Sequence, residues 1–485
     1  MVGFSAGEEY VFGGLVANPM DGQSYLAKME EGAQGNWLFT LPYTHETGNG
    51  QPIYFFYLLL GHIEAWTTIP NVVLFHIARV LSGIFLVITL YYLIKKTRIS
   101  HTDISPLLIL ALGSGIGWMI LPWTNAIPVD FYVAEMYPFL ASYTNPHFPL
   151  GLGLMIWIII RAIEYRSWKD FVFIWITGLL LSSILQFAAV LVIIILAIYF
   201  LFIYRIEKKF IYKPILALFT GGGIWIGIQF LIIKFDPLLS LWDQQNITTA
   251  PDFLTLMLGI SPFILIILPI LIIKHRELTF NHYQVVFLIW LVLGLALTYV
   301  PVNLQRRFLT GLYIPLIIAF FSLLDIWAIN KKLKKRIILF SFFLSIISNV
   351  IILAMGLSIM EKKDSLFFLK KNEYQGLVWI RDNSRIQDVV LASPEISLYI
   401  PSIAGRRVVY AHPYETLNAE KQKEQVETFY KGEIKNGELD KFIKSNNIRY
   451  VFNGPRERTT GNLIVDERWK IAYEYEDIQI YDTAP

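Results

Sequence analysis

Long apolar runs separated by short polar stretches fill residues 70–360. A run near 20 residues reaches across a ~30 Å hydrocarbon core. With no water there, only a helix satisfies its own backbone groups. The pattern predicts spans at 70–94, 105–122, 147–163, 171–184, 186–204, 214–233, 253–273, 284–300, 308–327 and 337–359, with 171–184 and 186–204 meeting as a tight hairpin at Leu185 and Gln186. Segment 52–66 is apolar but short, and reads as a helix lying at the membrane interface. Beyond residue 361 the pattern changes. Asp388–Ala392, Arg407–Tyr410 and Ile448–Phe452 read as short strands, with a helical stretch at Ala419–Tyr430 and a closing hairpin over Trp469–Tyr473 and Ile478–Tyr481. Strand–helix alternation predicts a small α/β domain. Three regions follow: an N-terminal segment with interface helices (1–69), a domain of about ten transmembrane helices (70–360) and an α/β domain (361–485).

Composition agrees with a polytopic membrane protein. Of 485 residues, 55% are hydrophobic and 16% charged, against about 25% charged in soluble domains. The net charge of +3 gives no reason to invoke nucleic acid, and the absence of cysteine excludes disulfides and thiolate metal sites. Charge orients the spans. The loops at 95–101, 161–169, 205–213, 274–276 and 331–336 hold 17 Lys and Arg, and basic loops stay in the cytoplasm. Before the C-terminal region, the opposite face holds only Lys28, Lys234, Arg306 and Arg307. Residues 1–69, 123–146, 234–252, 301–307 and 361–485 are therefore expected outside a plasma membrane crossed many times. Met1–Phe4 lacks the features of a signal peptide; either the N-terminal tail, with one Lys and no Arg in its first 50 residues, is itself translocated, or an apolar helix precedes Met1.

Candidate chemistry lies on that outer side. Glu8, Glu9, Asp21, Glu30, Glu31 and Glu46 occur in the first segment, Asp130 and Glu135 in the next outer loop. Glycosyl transfer to a hydroxyl needs a carboxylate to take the acceptor proton and cations or a metal to stabilise the departing phosphate. Asp21, between Asn18-Pro19 and Gly22, is expected at the head of a helix over Gln23–Gly32, either as a base or as an N-cap. Asp130, Glu135 and His147 sit among aromatics and prolines. They fit an interfacial belt, or a divalent-metal site with His147 as a ligand. Arg79 falls inside a span and must face protein or a polar cavity, as a structural ion-pair partner or as a ligand of the donor phosphate. Arg306 and Arg307 break the charge rule. Two guanidiniums at headgroup level suit a phosphate, and snorkelling is the other reading.

Asn18-Pro19-Met20-Asp21-Gly22-Gln23-Ser24-Tyr25, Gln51-Pro52-Ile53-Tyr54-Phe55-Phe56-Tyr57 and Ala78-Arg79-Val80 resemble the GT-C glycosyltransferases, in particular the protein O-mannosyltransferase and aminoarabinose transferase group. The resemblance implies a mainly α membrane bundle with a C-terminal α/β extracytoplasmic domain. It also implies a polyprenyl-phosphate sugar donor, a lipid, glycan or protein acceptor, an inverting mechanism and a site at the outer leaflet. In that reading Asp21 matches the base, Glu46 the acid before the interface helix, and Asp130 or Glu135 the second-loop acid. Arg79, Arg306 and Arg307 would hold the donor phosphate. The chain departs from the family pattern at Gly22, where the mannosyltransferases have a second acid, and at Gln51, where the aminoarabinose transferases have a basic residue. Two rivals remain: a transporter or lipid flippase, which would show paired half-repeats with ionisable groups at mid-membrane, and a non-catalytic assembly protein on a GT-C scaffold.

Overall fold

A computed structural model describes residues 6–46, 48–99, 104–327, 329–434 and 436–484. Thr47, next to Glu46, and the first five residues, including Met1–Phe4, lie outside this set. The chain divides into two compact units. One gathers residues 1–75, 231–246 and 356–485, and the other comprises 76–230 and 247–355.

The helical unit follows the apolar pattern, with breaks where the residues dictate them. Asn71–Thr97, Gln186–Glu207, Lys213–Phe235, Gln305–Ile326 and Lys331–Lys362 are long and apolar enough to cross a membrane. His147–Ile163 and His282–Thr298 are shorter apolar helices, and Trp168–Ile184 forms the hairpin with Gln186–Glu207 through Leu185. Phe253–Ile260 and Phe263–Lys274 form a pair bent by 83° at Ser261-Pro262, where proline supplies no N–H. The expected span 105–122 is α-helical only over Ser105–Leu112, with a single 3-10 turn at Gly117–Met119. Glycines at 113, 115 and 117 interrupt it, since glycine carries the largest entropic cost in a helix. The core of this unit is aliphatic and aromatic, with Leu152, Ile156, Val192, Trp290 and Phe320 fully buried.

The other unit is built on a five-stranded sheet. We number its strands with a preceding ribbon: β1 (Tyr10–Phe12), β2 (Phe368–Lys370), β3 (Val389–Leu391), β4 (Arg407–Val408), β5 (Ile448–Asn453), β6 (Lys470–Tyr475) and β7 (Ile478–Asp482). The sheet order is β4-β3-β5-β7-β6. β3 pairs in parallel with β4 and β5, and β7 runs antiparallel to β5 and β6. Side chains alternate across the sheet as a two-residue period requires. Val390, Phe452 and Ile480 pack with Leu377 and Ile400, whereas Val389, Leu391 and Val451 pack with Val426, Phe429 and Phe442. The strands and hairpin anticipated from the sequence are thus present.

Residues from the start of the chain complete this unit. β1 pairs antiparallel with β2, Tyr10 opposite Lys370, and the Tyr43 hydroxyl donates to the Leu398 carbonyl at 3.1 Å. Helix α1 (Pro19–Ala33) crosses helix α2 (Phe55–Thr67) with Tyr25 stacked on Tyr57, ring centres 4.4 Å apart. The crossing is tight: a Cβ on Gly61 would lie 1.8 Å from the Met29 carbonyl oxygen, and one on Gly32 2.1 Å from that of Leu58. Glu30 and Glu31 end α1 in shielded surroundings. Burial lifts both carboxyls from the usual 4.5 to about 7, although Gln34 donates to Glu30 at 3.1 Å and the Thr40 N–H to Glu31 at 3.2 Å.

Two outcomes follow for this unit. Gly61→Ala should destabilise it by about 3 kcal/mol, the upper part of the usual overpacking range, seen as a lower denaturation midpoint. Gly437→Ala, at an exposed position where the added methyl meets nothing within 4 Å, should not do so. Because the folded pKa of Glu30 and Glu31 is raised, their contribution is fully present below the unfolded value and is lost as pH rises through about 7. The melting temperature should fall over that interval, and Glu30→Gln with Glu31→Gln should flatten the fall. An unchanged slope would refute the assignment.

Candidate active site

Helix α1 sets the geometry. It starts at Pro19, earlier than the sequence reading placed it, after Asn18 in the left-handed conformation at φ 46°, a region asparagine tolerates. Asp21 therefore lies in the first turn, where the backbone N–H groups make the helix end positive. Its side chain is 46% exposed. Asn18 Nδ2 donates to Asp21 Oδ2 at 2.5 Å, and His412 Nε2 lies 3.5 Å from Oδ1.

At 3.6 residues per turn, Asp21, Ser24 and Lys28 share one face of α1. Lys28 is fully buried, with Nζ 2.8 Å from Glu415 Oε1. It also donates to Ser24 Oγ, and Ser24 Oγ donates to the same Glu415 oxygen, both at 2.5 Å. Three rings surround the ammonium, Tyr54 at 4.4 Å, Phe39 at 5.2 Å and Tyr25 at 5.3 Å from their centres. Burial pushes the Glu415 carboxyl up, but Lys28, His412 and the hydrogen bonds from Lys28 and Ser24 outweigh it, and the net direction is down. Glu415 is held ionised.

His412 and Glu415 lie on the segment after β4. Thr416 Oγ1 accepts from the N–H groups of Ala411 and His412, each at 3.3 Å. The Thr416 N–H donates to the His412 carbonyl at 2.9 Å, and Gln245 Nε2 to the Thr416 carbonyl at 2.6 Å. The sequence reading missed Ser24, Lys28, His412 and Glu415. One signal was available: Lys28 is the lone Lys or Arg among the first 50 residues, on a helix face shared with Asp21.

The remaining candidates are distributed as follows. Glu46, in the same unit as Asp21, is exposed. Gln51 Nε2 donates to Asp236 Oδ2 at 3.0 Å. In the helical unit, Asp130 is fully buried. Its Oδ2 accepts from Ser348 Oγ at 2.6 Å and from the Gly117 N–H at 3.1 Å. A Cβ on Gly117 would meet Asp130 Oδ1 at 2.1 Å, so glycine is required there. Burial pushes the Asp130 carboxyl up. Glu135, also buried, pairs with Arg307 at 2.8 Å, and the Arg307 guanidinium lies over Phe187 at 4.9 Å. Arg306 lies over Tyr132 at 5.6 Å, and its Nε is buried without a hydrogen-bond partner. Arg79 donates to the carbonyls of Ser142 and Tyr143 at 3.2 and 2.9 Å. His147 begins its helix, buried, with its ring centre 4.0 Å from that of Phe148. Among the described residues no three histidine, aspartate or glutamate side chains gather as a metal ion would need.

No family model matches the chain, and no curated protein matches it in sequence. Solved structures do. ArnT from Cupriavidus metallidurans bound to undecaprenyl phosphate matches with a TM-score of 0.56 at 11% identity, over 99% of this chain and 95% of that one. The archaeal oligosaccharyltransferase AglB from Archaeoglobus fulgidus, in complex with an inhibitory peptide and a dolichol-phosphate, matches with a TM-score of 0.51 at 11% identity over 89% of this chain. The chain spans 65% of the length of AglB. The resemblance seen in the sequence thus holds for the fold: the chain shares with these structures a helical membrane bundle with a C-terminal α/β region.

Proposed function

We propose that this protein is an integral-membrane glycosyltransferase that moves a sugar from a polyprenyl-phosphate carrier to an acceptor hydroxyl on the extracytoplasmic side. The acceptor oxygen attacks the anomeric carbon opposite the phosphate. The new carbon–oxygen bond forms as the sugar–phosphate bond breaks, the bonding pair leaves with the phosphate, and configuration inverts. Asp21 takes the acceptor proton. Arg306 and Arg307 stabilise the phosphate charge, a role worth several kcal/mol where water is excluded. Asp130, with no exposure, acts as a tether.

The observation that carries this reading is the state of Asp21. It is the one of the proposed acids that is both open at one side, at 46% exposure, and held by Asn18, with His412 3.5 Å from its other oxygen. A base needs access to the proton and a fixed orientation. The fold, and the undecaprenyl phosphate and dolichol-phosphate named with the two similar structures, support the choice of donor.

Asp21→Asn should lower transfer from a polyprenyl-phosphate sugar by roughly 10²–10⁴-fold, the usual contribution of a general base, with an unchanged melting temperature. Full activity in a folded variant would overturn the base assignment. The two arginines should separate. Arg306→Gln should raise the donor KM by roughly 10–100-fold, as expected for one charge-assisted hydrogen bond, at unchanged stability. Arg307→Gln leaves the buried Glu135 carboxylate without its partner and should cost about 3–5 kcal/mol of stability. Equal behaviour of the two variants in both assays would refute the division of roles.

A further inference from the structure

Resting on the base assignment for Asp21, we propose that His412 is its positioning residue: the C-terminal region supplies an imidazole N–H that fixes the catalytic carboxylate from behind. Three observations lead there. First, His412 is buried, at 2% exposure, while the carboxylate it faces is open. The imidazole thus stands on the protein side of Asp21, away from any substrate.

Second, the tautomer is dictated by the backbone. The Tyr414 N–H donates to His412 Nδ1 at 3.2 Å. An Nδ1 that accepts leaves the ring proton on Nε2, the nitrogen directed at Asp21 Oδ1. Among the described residues Nε2 makes no hydrogen bond. At 3.5 Å the contact is longer than a full hydrogen bond. Such contacts tighten when a substrate is bound.

Third, the ring has no freedom to turn away. The three-residue step from His412 to Glu415 matches the face of α1, with His412 against Asp21 and Glu415 against Ser24 and Lys28. Lys28 and Glu415 form a buried ion pair whose disruption is costly, so it holds the segment in register. The groups around His412 are Asp21 from α1, Tyr43 with its ring centre 5.9 Å away, and Tyr414, Glu415 and Thr416 of its own segment. Lys28 lies beyond Glu415. With Asn18 on Oδ2, each carboxylate oxygen has a donor to hold it.

The test uses the full chain in detergent or nanodiscs. His412→Phe removes the N–H, whereas His412→Gln keeps an amide donor of similar reach. His412→Phe should lower kcat about tenfold or more with little change in KM for either substrate. It should also move the acid limb of the pH–rate profile upward, because a carboxylate that loses a donor protonates more readily. His412→Gln should restore most of the rate. In an Asp21→Asn background His412→Phe should have no further effect, since two residues acting through one group are not additive. If His412→Phe fails to fold, ¹⁵N-histidine spectra of the wild-type chain decide the matter, with His412→Gln identifying the signal. They should show the Nε2–H tautomer and a shift on Asp21→Asn. An Nδ1–H tautomer, or equal additive losses in both backgrounds, would overturn the proposal. An inactive Asp21→Asn beside a fully active His412→Phe would sink this inference alone. A fully active Asp21→Asn would sink the base assignment beneath it.

Discussion

The buried pair between Lys28 and Glu415 is the contact on which the arrangement around Asp21 depends. A charge taken out of water is costly unless its partner and the remaining donors are in place. Here Ser24 links the two charges, and three aromatic rings offer their negative faces to the ammonium. The rings come from α1 itself, from Phe39 and from Tyr54 just before α2. One ion pair therefore joins two N-terminal helices, the stretch between them and a segment nearly 400 residues later. It specifies register more than it adds stability, because an apolar pair of similar shape would cost less to bury.

The helix crossing serves the same end. Backbone contact at Gly32 and Gly61 brings α1 and α2 closer than side chains would permit. That closeness lets Tyr54, immediately before α2, reach the ammonium of Lys28 on α1. Glu30 and Glu31 sit at the far end of α1 with their carboxyls raised to about 7, whereas Glu415 is driven downward by Lys28. Burial acts on all three. The decisive difference is a fully buried cation at 2.8 Å from Glu415.

What could be read from the sequence was whatever has a short period. Apolar runs gave the long helices, and alternating residues gave β3, β5 and the β6–β7 hairpin. The interruption after Leu112 was missed because apolarity outvoted three glycines in five residues. The Asn18–Tyr25 and Gln51–Tyr57 strings pointed to the GT-C fold, which the comparison with solved structures supports at 11% identity. His412 and Glu415 were invisible for another reason. Their meaning comes from contacts across nearly 400 residues, and no local period marks such a pairing. Burial was invisible as well. Nothing in Val129-Asp130-Phe131 distinguishes a carboxylate facing water from one bonded to Ser348 and the Gly117 N–H.

That distinction separates the acids. A carboxylate acting as a base must be ionised, oriented and reachable at once. Asp130 is oriented, but it is buried, and burial pushes its carboxyl up. Glu135 is oriented, but Arg307 occupies it and little of it is exposed. Glu46 is reachable, but among the described residues none makes a hydrogen bond or ion pair that fixes its direction. Asp21 has an exposed edge, a helix N-terminus beneath it, Asn18 on one oxygen and His412 near the other. The same turn of α1 that exposes Asp21 buries Ser24 and Lys28 beneath it. Access and orientation at that position are therefore two results of one helical period.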